Sequence, residues 1–476
     1  MQGQPNIIFV MLDTVRADAL GSYGAGRQLR NVDAVAKKSL LFENAIAPST
    51  YTLPSHLSIF LGRRPRSIKA LMKDNIKNYN NKTDPFLKKS SYLQSRDMTL
   101  AKHLAYMGYD TSLFSNNPFV SSTTGITDGF SHVDNMFVEG KIDGGNLSVK
   151  VVLKMIDSDF VRNNLIRLAY FLCGLFPDET LDRMYLRLRK KAIRHFSEQY
   201  GYYNIDSGAK LTNERIKRYL NANRENRNFM FVNYMEAHEG YPTNLITERE
   251  IVQDKWLHMI GQNHEEDAGV EKAAYLKRIE YLDERIGELL GTLKSSGILD
   301  NAYVVFAGDH GQAFMEHDQM YHNVFPYNEV IKVPLFVSRY ENGSQVDIGK
   351  RVQSQVSLTS LNEILPDLGY GANLDELNFN NKFVVSDHMG ITEVWDTYLL
   401  KLLKSRSKYA NAVYRSKMRF NTFATAIFHK NYKLIHFYGK RKDELYSTDD
   451  LQEQNNILDD RRDIALKMVQ YNKFVS

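Results

Sequence analysis

The chain has 476 residues, 43% hydrophobic and 12% aromatic, and its 61 basic against 56 acidic side chains leave a net charge of +5. That is long enough for a large buried core, too apolar for a disordered chain and too mildly basic to argue for nucleic acid. The one cysteine, Cys173, excludes an internal disulfide and a cysteine-rich metal site, which suits a reducing compartment.

Taken in order, the chain first offers "NIIFVMLD". Its apolar run, Ile7 to Leu12, lacks the basic flank and the length of a signal peptide and predicts a buried strand ending at Asp13. "STYTLPSHLSIFLG" comes next, with Pro54 suited to the first turn of a helix and Thr52 just ahead of it. Thr52 is then either a helix cap or a nucleophile in the positive field of a helix start. "MTLAKHLAYMGY" reads as a helix and "TSLFSNN" as a strand reaching Asn117.

Residues 140–225 differ. "FVRNNLIRLAYFLCGLF" and "LDRMYLRLRKKAIRHF" read as basic amphipathic helices inserted into the body, either a packed cap or a surface for membranes or an anionic polymer. "NFMFVNYMEAH" predicts a strand reaching His238, residues 267–295 a helix, "NAYVVFAGDH" a strand reaching Asp309 and His310, and "VPLFVSR" another strand. "AIFHKNYKLIHFYGKRKDELYS" reads as two or three antiparallel strands with a turn near Gly439. No apolar run of about 18 residues occurs, so no membrane span is predicted and a cytoplasmic location is expected.

Strands alternating with helices predict an α/β fold: a large, mostly parallel sheet sandwiched by helices over residues 1–350, with the helical insertion, and a smaller α+β subdomain over 351–476. In such sheets ligands bind beyond the carboxyl ends of the strands, where Asp13, His238, Asp309 and His310 all fall. Asp13 could alternatively cap a helix opening after the strand. The adjacent Asp309 and His310 suit a divalent cation with mixed oxygen and nitrogen ligands.

Six stretches in order, "NIIFVMLDTVRADALGSYG", "APSTYTLPSHLSIFLG", "TLAKHLAYMGYDTSLFSNNPF", "VNYMEAHEGYP", "AGDHGQAFMEHDQMYHNVFPYNEVIKVPLFV" and "YKLIHFYGKRKDELYSTDDLQEQNNI", resemble the sulfatase branch of the alkaline phosphatase superfamily. The resemblance spans nearly the whole chain except 140–225 and implies an alkaline phosphatase-like fold. The family's nucleophile motif is Cys or Ser-x-Pro-Ser-Arg, whose first residue becomes formylglycine. Here it reads Thr52-Leu53-Pro54-Ser55-His56, and threonine is no substrate for that conversion. Members with threonine resemble phosphoglycerol and phosphoethanolamine transferases and some phosphodiesterases, which attack phosphorus with the threonine oxygen.

The resemblance implies Thr52, His238 and His322 as catalytic groups and His56, Asn117 and Lys433 as substrate contacts. It also implies Asp13, Thr52, Asp309 and His310 as ligands of one divalent metal, manganese or zinc ahead of magnesium or calcium. Thr14 stands where many sulfatases have a second aspartate, and His56 where the motif has arginine. The expected function is a metal-dependent hydrolase or transferase of phosphate-type esters. Its expected partner is a phosphorylated or sulfated small molecule or glycan, without nucleic acid, and with peripheral membrane contact through the basic insertion. The alternatives are a sulfatase without formylglycine and a non-catalytic protein that binds an anionic glycan. Nothing in the sequence fixes an oligomeric state.

Overall fold

The structure, a computed structural model, describes residues 4–68, 93, 97–122, 124–135, 206–223, 227–238, 265–375, 377, 382–390 and 419–474. The two basic helices expected within 140–225 lie outside these residues. The strands of the first half are β1 (Asn6–Leu12), β2 (Leu40–Ile46), β3 (Asp110–Ser115), β4 (His132–Asn135) and β5 (Asn228–Tyr234). Then come β6 (Asn301–Gly308), a short hairpin of β7 (Ala313–Phe314) and β8 (Met320–Tyr321), β9 (Leu335–Glu341), β10 (Ser344–Gln345) and β11 (Lys350–Ser357). Nine strands form one sheet in the order β11-β2-β9-β6-β1-β5-β3-β4, with β10 paired to β9. β1 runs parallel to both β5 and β6, so Ile7 lies opposite Phe229 on one side and Tyr303 on the other. "VPLFVSR" does form a strand, β9, but it runs antiparallel between β2 and β6.

The apolar strands are explained by burial on both faces. Ile7, Phe9 and Met11 pack into one core layer with residues of α1 (Thr52–Leu61), α2 (Leu100–Tyr106) and α5 (Leu361–Gly369). Ile8, Val10 and Leu12 pack into the other with α3 (Ala209–Ala222) and the long α4 (Glu265–Ser295). No helix among the described residues is long and apolar enough to cross a membrane.

A second, antiparallel sheet holds β12 (Val384–His388), β13 (Ala424–His429), β14 (Tyr432–Phe437) and β15 (Glu444–Ser447). Helix α6 (Arg462–Phe474) packs on it through Ala465 and Met468. The turn expected near Gly439 falls between β14 and β15. β11 pairs with β2 in the large sheet, so that sheet extends past residue 350.

Candidate active site

β1 and β6 are adjacent and parallel, so the residues just beyond them emerge side by side. Asp13, Asp309 and His310 are fully buried, and one ligating atom from each lies within 4.8 Å of the others. Thr14 takes a left-handed conformation (φ 60°), which a β-branched residue adopts only under tertiary constraint. There its N–H donates to Asp309 Oδ1 at 3.1 Å, beside the His310 N–H at 2.9 Å. Asn117 Nδ2 donates to Asp13 Oδ2 at 2.7 Å. The remaining oxygens, Asp13 Oδ1 and Asp309 Oδ2, are buried without a hydrogen-bond partner. His310 Nδ1 lies 3.0 Å from the Gly311 carbonyl, which only accepts, so Nδ1 carries the hydrogen and in the neutral ring the lone pair is on Nε2. Glycine is required at 311, because a Cβ there would come within 2.2 Å of the Glu329 carbonyl.

Thr52 completes the group. Helix α1 begins at Thr52, two residues before the expected opening at Pro54, and Tyr51 is an N-cap with no side-chain cap bond. Pro54 is tolerated because the first-turn N–H groups have no helical partner. The Thr52 hydroxyl reaches His310 Nε2 at 3.2 Å, so it is spent on this group rather than on capping a helix. Ser55 Oγ donates to the Asp309 carbonyl at 2.7 Å and ties the helix to the end of β6.

Burial, with Asp309 as a second cause, pushes Asp13 up to about 7, and burial pushes Asp309 up to about 7. Two orphaned carboxylate oxygens, an imidazole lone pair and a hydroxyl fit a divalent cation of borderline hardness. Protons and cation then compete for the same oxygens. The apparent Mn²⁺ affinity of the purified protein, measured by calorimetry, is expected to fall by about one to two decades per unit as pH drops below about 7, and to level off above it.

Outward from His310 the imidazoles form a row. His322 stacks on His310 with centroids 4.7 Å apart, and His238 meets His322 edge-on at 4.9 Å. His322 Nδ1 is 3.2 Å from Gln312 Oε1. The structure therefore gathers Asp13, Thr52, Asp309, His310, His322 and His238.

Three expected substrate contacts are placed otherwise. Asn117 is buried and engaged by protein at both ends, donating to Asp13 and accepting from the Phe119 N–H at 2.8 Å, so it orients a carboxylate. His56 is fully buried, with Nδ1 donating to the Thr52 carbonyl at 3.0 Å and Nε2 without a partner. Burial pulls it down to about 3, so it is a neutral ring and no substitute for the motif arginine's charge. Lys433 is neither at this group nor in solvent: it is buried, ion-paired to Glu453 Oε1 at 2.6 Å and donating to Asn328 Oδ1 at 3.1 Å. Lys433→Ala would strand the Glu453 carboxylate, and is expected to cost about 3–5 kcal/mol in urea unfolding while kcat changes little. Sequence reasoning missed the Thr14 N–H, Ser55 and Gln312; only Ser55, inside the nucleophile motif, carried a local signal.

The sulfatase family model matches residues 5–370. The choline-sulfatase of Rhizobium meliloti is 23% identical over 367 residues, covering 71% of this chain and 63% of that protein. The N-acetylglucosamine-6-O-sulfatase of Bacteroides thetaiotaomicron is 24% identical over 381 residues, covering 70% and 62%. The chain thus spans just under two thirds of the length of these relatives. Among solved structures, the phosphonate monoester hydrolase of Agrobacterium radiobacter shares the fold with a TM-score of 0.59 at 17% identity, over 99% of this chain and 95% of that one. A 2-O GAG sulfatase does so with a TM-score of 0.62 at 16% identity, over 99% and 92%. The match along three quarters of its length and the site it frames at the ends of β1 and β6 lead to one assignment: the chain belongs to the sulfatase family.

Proposed function

We propose that this protein transfers a phosphoryl-type group from an ester, with Thr52 as the nucleophile. The observation that carries this is the Thr52 hydroxyl at the first residue of a helix, 3.2 Å from His310 Nε2, whose ring is grouped with two carboxylates that each keep an oxygen without a partner. The helix start supplies unpaired N–H groups and a positive field for a tetrahedral anion. Asp13, Asp309, His310 and the Thr52 oxygen would hold one divalent cation, manganese or zinc. When bound, it lowers the hydroxyl's pKa and offsets charge on the transferred group.

Thr52 Oγ, its proton released to solvent at the lowered pKa, forms a bond to phosphorus as the bond to the leaving oxygen breaks, and His322 in its protonated form gives that oxygen the Nε2 proton. Gln312 Oε1 accepts from His322 Nδ1, which leaves Nε2 for the proton in transfer. His238, next in the row, binds an equatorial oxygen. Water or an acceptor hydroxyl then gives its proton back to His322 Nε2 and attacks phosphorus, and the threonine oxygen departs. The substrate class is a phosphorylated small molecule or glycan, in line with neighbours named for phosphonate monoesters.

A sulfate ester is the second reading, favoured by relatives named for choline and N-acetylglucosamine sulfates. A sulfothreonine lacks the breakdown route of a formylglycine sulfate, which ranks it second. The test assays aryl phosphodiester, phosphonate monoester and sulfate ester side by side after loading with Mn²⁺, Zn²⁺, Mg²⁺ or Ca²⁺. Turnover of phosphorus esters that needs both cation and Thr52 supports the first reading, and turnover of sulfate ester alone replaces it with the second. A protein that takes up none of these cations would favour a non-catalytic, glycan-binding role.

A further inference from the structure

The stretch leading into Thr52 does not stand alone. Ser49 forms an isolated parallel bridge with Asp387 of β12. The Asp387 N–H donates to the Pro48 carbonyl at 2.9 Å, and Ser49 Oγ donates to the Asp387 carbonyl at 2.6 Å. One residue on, Thr50 Oγ1 lies 3.1 Å from His388 Nδ1. His388 Nε2 donates to the Phe420 carbonyl at 2.8 Å, so Nδ1 accepts from the threonine. The Thr50 carbonyl in turn accepts from the Asn323 N–H at 2.8 Å, next to His322.

The other end of the same helix is held by the same residue. Arg64, just past α1, meets the Asp387 carboxylate with Nε and Nη2, each at 2.7 Å. Arg64 Nη1 continues to Asn472 Oδ1 of α6 at 2.5 Å, and Thr425 Oγ1 of β13 donates to Asp387 Oδ1 at 2.7 Å. Asp387 is fully buried and Arg64 is 8% exposed, so the fork is shielded from water and planar at both ends. The backbone of Asp387 therefore grips the entry to helix α1, and its side chain grips the exit.

We propose that Asp387 is the positioning residue for Thr52, clamping both ends of the nucleophile helix, so that the small C-terminal sheet is part of the catalytic apparatus. This rests on Thr52 as the nucleophile. A helix free to shift by about 1 Å would take the hydroxyl out of line with the reacting atom, a displacement that costs about 10²-fold in rate. Substrate affinity, set mainly by groups on other elements, would change far less.

The test compares wild type, Asp387→Asn and Ser49→Ala by kcat and KM on the aryl ester that wild type turns over fastest. Local hydrogen exchange at amides 49–56 is measured in the same proteins. Asp387→Asn is expected to lower kcat about 10²-fold with KM within about threefold, and to speed exchange at 49–56. Ser49→Ala, which removes one hydrogen bond and leaves the Arg64 fork intact, is expected to lower kcat about fivefold in the same pattern. It carries the test if Asp387→Asn does not fold. Unchanged kcat and unchanged local exchange in the folded variants would overturn the proposal, as would a loss of stability without faster exchange at 49–56. A fully active Thr52→Ala would instead sink the nucleophile reading; in that case, or if wild type turns over none of the aryl esters, the exchange data alone decide whether Asp387 clamps the helix.

Discussion

Replacing Thr52 with alanine is expected to lower kcat by about 10⁴-fold or more, in the range seen when a covalent nucleophile is removed. The fold should survive, because the hydroxyl contacts His310 Nε2 and is not used to cap its helix. A melting temperature within a few degrees of wild type would show this. Thr52→Ser retains an oxygen but frees the side-chain rotamer that the threonine methyl restricts, so it should keep part of the activity. Steady-state kinetics on a phosphonate monoester with saturating Mn²⁺ separate the outcomes. Near wild-type turnover by Thr52→Ala would remove the threonine from the chemistry.

Asp309→Asn is expected to do two opposite things. In the cation-free fold, Asp13 and Asp309 are both raised from 3.8 to about 7. A raised carboxyl pKa means the folded state holds protons that the unfolded chain has released. Each group therefore lowers stability progressively as pH rises from about 4 to about 7, with the full effect present above 7. Asparagine keeps an acceptor for the Thr14 and His310 N–H groups and removes the charge. The cation-free variant should therefore melt several degrees higher than cation-free wild type at pH 8, and the gap should close near pH 4. Loss of a carboxylate ligand should also weaken Mn²⁺ binding by about 10²-fold or more and abolish turnover. Paired melts with and without Mn²⁺ at the two pH values check both halves. A variant less stable than wild type at pH 8 without cation would contradict the electrostatic account.

Burial is the property that the sequence displays most openly. β1 and β6 are apolar along their length because helices cover both faces, and an acid closing such a strand stands out. That made Asp13, Asp309 and His310 legible, and the parallel pairing of β1 with β6 brought them together. Tertiary constraints hid the rest. Nothing in "LDTV" announces that Thr14 turns left-handed to offer its N–H, since the partner that requires it is Asp309. Helix α1 starts two residues ahead of Pro54 because Tyr51 sets its opening without a capping side chain. Lys433 sits in a stretch resembling the family's, yet its ion pair with Glu453 keeps it buried. The Ser49–Asp387 pairing joins residues 338 apart, a distance over which periodicity carries no information.

The sheet order also has a consequence for how this chain is made. β1 leaves the ribosome well before its two neighbours, which begin at Asn228 and Asn301. During translation its apolar edges wait for partners more than two hundred residues away, and such non-local parallel pairing folds slowly. Nascent chains should therefore lean on chaperones that shield hydrophobic strands. The group formed by Asp13, Asp309 and His310 is likewise incomplete until the residues that follow β6 have been added.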